Sequence, residues 1–225
     1  MVSRSDETPG IQAPAALPRT RTETATLAEL AANDQAPSLI RSALALAVLS
    51  HAGQRRESDG AAFIEHPLEV AGLLRDADCS DVVVAAGLLH DLVEDTDVTL
   101  ADLAARFGAD VAHLVQAVSE DPSIPTYRQR KHALREQVRK VGGDAAPLFA
   151  ADKIAKVREL PDRLRRDQAR CGHRARERFE RYHELRLEHY QETLRMLQDI
   201  APGDPLVKRL ATELDNYQRS RSAPG

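Results

Sequence analysis

The sequence contains no tryptophan, and aromatic residues fill only 4% of its 225 positions. Ala, Leu and Val must therefore supply the core. Ala and Leu favour helix, whereas β-branched and aromatic side chains favour strands. An all-α fold is the expectation. Two cysteines, Cys79 and Cys171, cannot make a disulfide framework. Neither has a His-based activating context, so both read as inert thiols. No apolar run approaches the roughly 18–20 residues that span a bilayer, and the N-terminus lacks an apolar signal-peptide core. A dominant charge is missing too: 31 Lys and Arg face 35 Asp and Glu, for a net of −4 and a pI near 6.1. That balance argues against nucleic acid or a membrane surface as partner. No phosphate-binding glycine loop appears, since Gly142-Gly143 reads as a helix break. A soluble, cytoplasmic protein is expected.

What the chain does have is 42% hydrophobic residues, enough for a folded core. Residues 1–26, rich in Pro, Thr, Ser and Ala, read as a disordered tail, and 27–220 as one domain of about nine helices. A short helix is expected from Thr26 to Asn33. The next runs from Ser38, with Leu39, Ile40, Ala43, Leu44, Ala47, Val48 and His51 at helical spacing. A polar loop over 52–65 precedes a helix with Pro67 just inside its start. The stretch from Val82 to about Val93 is apolar nearly all round, the pattern of a buried central helix. Helices are expected from Thr99 to Phe107, with Gly108 as C-cap, and over 109–119 and 126–140. Another from Ala145 to Leu160 is expected to stop at Pro161, followed by helices over 172–199 and 205–219.

The buried helix at 82–93 ends in an anomaly. Ala85-Ala86-Gly87-Leu88-Leu89 runs into His90-Asp91-Leu92-Val93-Glu94-Asp95. On a continuous helix Asp91 and Asp95 share one face and His90 and Glu94 another. Carboxylates at a helix C-terminus oppose the macrodipole. From Asp91 to Asp121 there are eight acidic residues and one basic residue. A divalent cation is the economical compensation, and imidazole with carboxylates suits Mn²⁺, Fe²⁺ or Zn²⁺. His66, where a loop turns into a helix, and Asp152, in an apolar helix start, are further candidate ligands.

Three segments in order resemble a known family. Phe63-Ile64-Glu65-His66-Pro67-Leu68-Glu69-Val70-Ala71, Leu88-Leu89-His90-Asp91-Leu92-Val93-Glu94-Asp95-Thr96 and Ala151-Asp152-Lys153 are similar to motifs of the HD superfamily of metal-dependent phosphohydrolases. Within it they resemble the hydrolase domain of RelA/SpoT proteins and their stand-alone relatives, over about residues 38–198. The resemblance implies an HD-domain helical fold in which His66, His90, Asp91 and Asp152 hold one metal, Mn²⁺ first and Zn²⁺ or Fe²⁺ as alternatives. It also implies that Glu94 and Asp95 orient water and shuttle a proton. The implied reaction removes the 3′-pyrophosphate of guanosine tetra- or pentaphosphate (ppGpp, pppGpp), the alarmones of the stringent response. A stand-alone hydrolase without synthetase and regulatory regions is expected.

Substrate contacts are expected from Arg55 and Arg56, which follow Gln54, and from Lys153 and Lys156. The stretch 153–186 holds twelve basic and six acidic residues, part of which can steer a polyanion. The chain also departs from the family pattern. After Ala-Asp-Lys the family usually has Tyr or His and then Asn, where this chain has Ala155 and Lys156, and Glu57 replaces a common Lys. These changes touch the substrate pocket and leave the metal positions intact. They keep open a phosphohydrolase for another nucleotide such as NADPH (a 2′-phosphatase), and a non-catalytic nucleotide-binding regulator as a third reading.

Overall fold

A computed structural model describes residues 38–170 and 173–222. The tail over 1–26, the short helix expected at 26–33 and Cys171 lie outside them. The described residues form eleven helical elements and no named strand, with a single isolated bridge between Arg55 and Ala62. In chain order these are α1 (Ser38–Ser50), α2 (Glu65–Asp76), α3 (Asp81–Leu89), α4 (Leu92–Asp95), α5 (Leu100–Phe107) and α6 (Ala109–Val118). They continue with α7 (Tyr127–Val141), α8 (Ala145–Arg158), α9 (Leu160–Arg170), α10 (His173–Ile200) and α11 (Pro205–Ser222). No helix of the described residues is long and apolar enough to cross a membrane.

The all-α expectation holds, with two corrections. The helix expected to run from Val82 to Val93 stops at Leu89, and a single turn restarts at Leu92. The cause is local: Nδ1 of His90 takes the Gly87 carbonyl as its partner at 2.8 Å, in place of an uninterrupted backbone ladder. Pro161 does not end helical structure either. α8 closes at Arg158, and Pro161 sits in the first turn of α9, where a missing N–H costs nothing. A short connection therefore became a further helix.

The termini elsewhere follow their residues. Thr99 and Asp102 form a reciprocal capping box at α5, and Gly108 turns the chain at φ 92°, a conformation that favours glycine. On α1, Ile40, Ala43, Leu44 and Ala47 are buried as their spacing requires, whereas Val48 faces outward. Cys79 is half-buried, and burial followed by the nearby Asp204, Asp144 and Asp78 pushes its thiol up to about 11. That agrees with an inert thiol.

Two buried helices organise the core. α3 packs against α1, α2, α6 and α8, and Val83 through Leu89 are all buried. α8 packs against α2, α3, α6, α7, α9, α10 and α11. Its Ala145, Ala146, Ala150, Ala151 and Ala155 are almost wholly removed from solvent, and such small side chains let the neighbouring helices approach closely. Arg158 at its end binds Glu69 of α2 at 3.1 Å and also pairs with Glu213 of α11. The crossing of α2 and α3 is tight. A Cβ on Gly87 would lie 2.5 Å from Leu74 Cδ1 and 3.3 Å from Val70 Cγ1.

Two predictions follow from this packing. Gly87→Val overfills the α2–α3 contact, so its unfolding free energy in urea should fall by about 1–3 kcal/mol. A wild-type value would refute the tight crossing. The second concerns His183 of α10, buried with Nε2 2.7 Å from the Tyr217 hydroxyl of α11. Burial first, then Arg221 and Arg186, push its pKa down to about 4. A histidine whose folded pKa is depressed gives full stability above its unfolded value, near 6.5, and loses it as pH falls toward the folded value. Its share should drop by about 2 kcal/mol from pH 7 to pH 5. His183→Gln should lack this component when the two proteins are unfolded in parallel.

Candidate metal centre

Four side chains from three helices meet where α2, α3 and α8 converge. His66 is the second residue of α2, Asp152 lies midway along α8, and His90-Asp91 forms the break between α3 and α4. All four are buried, between 1% and 8% exposed. The Nε2 atom of His66 lies 3.3 Å from His90 Nε2, 3.4 Å from Asp91 Oδ2 and 3.3 Å from Asp152 Oδ1. His90 Nε2 lies 3.2 Å from Asp91 Oδ1 and 3.7 Å from Asp152 Oδ1. Ligand atoms of His66, His90 and Asp152 all fall within 4.8 Å of one another, the one such cluster among the described residues.

The donor set fits a divalent cation on two grounds. The Gly87 carbonyl can only accept, so His90 Nδ1 carries the proton and Nε2 presents its lone pair inward. Asp91 Oδ2 and Asp152 Oδ1 are buried without a hydrogen-bond partner, a state that costs free energy unless a cation faces them. Burial opposes ionisation of Asp91, yet His90, Lys156 and His66 hold it below the ordinary carboxylate range. Burial likewise opposes ionisation of Asp152, which Lys153, Lys156 and both imidazoles hold well below that range. For His90, burial works downward, but Asp91 and Asp152 outweigh it and raise the pKa.

A cleft of about 460 Å³ opens beside the cluster, lined among others by Arg55, Arg56, His66, Asp95, Lys156 and Arg163. The loop over 52–64 forms one wall. Gln54 Nε2 donates to the Asp95 carbonyl at 3.0 Å and accepts at Oε1 from His51, 2.7 Å away. Arg56 is buried with its guanidinium against Asp59, Glu65 at 3.2 Å and Glu159 at 3.8 Å. Arg55 is exposed, and its Nη1 donates to the Gly60 carbonyl at 3.4 Å.

The two acids of the Glu94-Asp95 pair stand differently. Asp95 lines the cleft. Glu94 is held aside, with Oε1 accepting from the Glu120 N–H at 2.9 Å. Burial and then the charge of Asp91 raise the pKa of Asp95. For Glu94, burial raises it and the Glu120 N–H works against that, with a raised value as the outcome. Lys153 is not among the residues lining the cleft. It is buried, paired with Asp152 through Oδ2, and lies 4.3 Å above the Phe149 ring centroid. Lys156 reaches both the cleft and the cluster. Ala155 is fully buried, so its departure from the family pattern changes the core and not the cleft.

Three contributors escape a reading of the sequence. Glu159 lies 3.6 Å from His66 Nδ1 and accepts from the Ser58 hydroxyl at 2.7 Å. Its spacing is the missed signal: Asp152, Lys156 and Glu159 follow i, i+4, i+7 along one face. Arg163 binds Glu57 at 2.8 Å across the cleft mouth, and it belongs to the helix that Pro161 obscured. His51 appeared only as part of an apolar stripe.

Comparison with known proteins places this geometry in a family. The HD domain matches residues 43–186, well over half of the chain. A probable guanosine-3′,5′-bis(diphosphate) 3′-pyrophosphohydrolase of Synechocystis sp. is 48% identical over 82 residues, 36% of this chain and 11% of that protein. The guanosine-3′,5′-bis(diphosphate) 3′-pyrophosphohydrolase MESH1 of Homo sapiens is 40% identical over 117 residues, 51% of this chain and 65% of its own length. The chain thus spans less than two thirds of either. A solved structure of a metazoan ortholog of SpoT, described as hydrolysing ppGpp, superposes with a TM-score of 0.63 at 26% identity, covering 83% of this chain and 97% of that one. With the family match running through all four converging residues, the chain belongs to the HD domain family.

Proposed function

We propose that the protein is a metal-dependent phosphohydrolase that removes the 3′-pyrophosphate from guanosine tetra- or pentaphosphate. The observation that carries this reading is the buried His66–His90–Asp91–Asp152 cluster, with two carboxylate oxygens that lack a hydrogen-bond partner, opening onto a cleft that holds Arg55, Lys156 and Arg163. Relatives named for that reaction support the substrate class.

His66, His90, Asp91 and Asp152 hold the ion in this reading, Mn²⁺ in the first place and Zn²⁺ or Fe²⁺ as alternatives. When bound, a divalent ion supplies Lewis acidity toward phosphate oxygens and acidifies water. The residues do the rest. Asp95, on the cleft with a raised pKa, accepts the proton of the attacking water. Glu94, also raised, joins in orienting that water once it leaves the Glu120 N–H that holds it aside. Water oxygen bonds to phosphorus as the 3′-oxygen–phosphorus bond breaks, and the proton that Asp95 took from the water passes to the leaving ribose 3′-oxygen. Arg55 meets the nucleotide. Arg56 stiffens the loop that carries it, and Glu159 steadies the His66 ring as outer carboxylates do for metal-bound imidazoles. Lys153 keeps Asp152 ionised.

Lys156, standing where the family has Asn, is the observation that favours a second nucleotide such as NADPH as substrate. Purified protein with Mn²⁺ and a panel of ppGpp, pppGpp and NADPH decides between them. Pyrophosphate release from ppGpp is expected, and orthophosphate from NADPH alone would replace the alarmone reading. Turnover of none, with binding retained, would leave a nucleotide-binding regulator.

Asp91→Ala should abolish turnover and stoichiometric Mn²⁺ binding together in calorimetry, and a normally active Asp91→Ala protein would sink the metal assignment. Asp95→Asn should lower kcat by about 10²-fold or more, the usual worth of a positioned general base, while Mn²⁺ still binds. Loss of metal binding in that variant would move Asp95 from proton transfer to ligation.

A further inference from the structure

The cluster already holds a cation of its own. Lys156 Nζ lies 3.7 Å from Asp91 Oδ2 and 3.8 Å from Asp152 Oδ1. These are the two carboxylate oxygens that lack a hydrogen-bond partner, and both face His66 Nε2 at 3.3–3.4 Å. The ammonium is therefore near enough to balance their charge and too far to hydrogen-bond either one. Its side chain is 35% exposed and lines the cleft with Arg55 and Arg163. A flexible four-carbon stem carries the charge, so it can swing into the cleft while every buried neighbour stays in place.

We propose that Lys156 is a two-position cation. It balances Asp91 and Asp152 before metal binds, and once a divalent ion takes those oxygens it extends into the cleft and holds a phosphate group of the nucleotide. Two cations cannot share the same buried oxygens without strong repulsion, so loading the ion drives the ammonium out. Two of the three other cleft cations are already paired with carboxylates, which makes the released charge valuable. Arg56 is engaged by Asp59, Glu65 and Glu159, and Arg163 by Glu57. Lys156 is the cation whose carboxylate partners the metal removes, so metal loading itself creates an anion site. Metal binds first and the phosphate second. The inference rests on the metal reading of the cluster and is independent of which nucleotide is hydrolysed.

The test uses the full chain, wild type and Lys156→Gln, in two calorimetric titrations. Mn²⁺ is added to metal-free protein, and GDP is then added to protein loaded with Mn²⁺ and freed of excess ion. Lys156→Gln should bind Mn²⁺ about tenfold tighter and, once loaded, GDP about tenfold weaker, the scale of one charge-assisted contact. Unchanged or weaker Mn²⁺ binding overturns the counter-ion position, and unchanged GDP binding overturns the cleft position. Wild-type protein gives an independent check that no misfolded variant can confuse. Acetylation of Lys156 by acetic anhydride, read by peptide mass spectrometry, should quicken severalfold on Mn²⁺ loading, and an equal rate with and without Mn²⁺ overturns the displacement. Both affinity changes in a protein that cleaves no ppGpp would support this inference while refuting the proposed reaction. Wild-type protein that binds no Mn²⁺ would refute both.

Discussion

Two carboxylates and two imidazoles sit at the junction of α2, α3 and α8, helices whose other buried side chains are mostly apolar. Ionised groups in such a place are costly unless something positive meets them, and much of the nearby structure consists of what meets them. Lys153 takes one oxygen of Asp152, Lys156 stands off the others, and the His90 imidazole is fixed by a backbone carbonyl. The three helices must also stay in register for the atoms to converge. The tight Gly87 crossing, the alanines of α8 and the Arg158 clamp to Glu69 and Glu213 all serve that requirement.

Charge is arranged in shells around this centre. Closest in are the acids and imidazoles, with Lys153 and Lys156 beside them. Next comes Glu159, tied to His66, Ser58 and Arg56. Farther out, Arg163 and Glu57 bridge the cleft mouth. The near-neutral net charge of the chain hides an acidic segment from Asp91 to Asp121 and a basic one after Asp152, and the cleft draws Asp95 from the first and Lys156 and Arg163 from the second. An overall value of −4 conceals a strongly patterned site.

How much of this was legible in the sequence depended on how local the cause was. His90 and Asp91 stand out because ionisable residues in an apolar helix need a reason, His66 and Asp152 join them through the family resemblance, and the fold does bring these four together. The all-α class followed from scarce aromatics and abundant Ala and Leu. What escaped was tertiary. Helical periodicity carried the third helix through His90, because a side chain capping its own helix leaves no mark in the apolar pattern. Pro161 reads as a stop because a proline that breaks one helix and one that opens the next look alike without the backbone. Arg56 lines the cleft, but the acids that surround it there, Asp59, Glu65 and Glu159, are only partly near it in sequence, so its pairing is not legible.

The hydrogen bond from His90 to the Gly87 carbonyl gives position 90 a double duty. One ring nitrogen ends a helix while the other faces the cluster. A replacement that offers a ligand atom alone, such as Asp or Cys, would leave a backbone carbonyl without its partner. One that merely ends the helix would leave the cluster a donor short. Among the twenty side chains, imidazole is the one with two nitrogens aimed in divergent directions, one able to donate while the other accepts. The architecture of the third helix and the chemistry of the centre are therefore written in the same residue, and neither can be redesigned separately from the other.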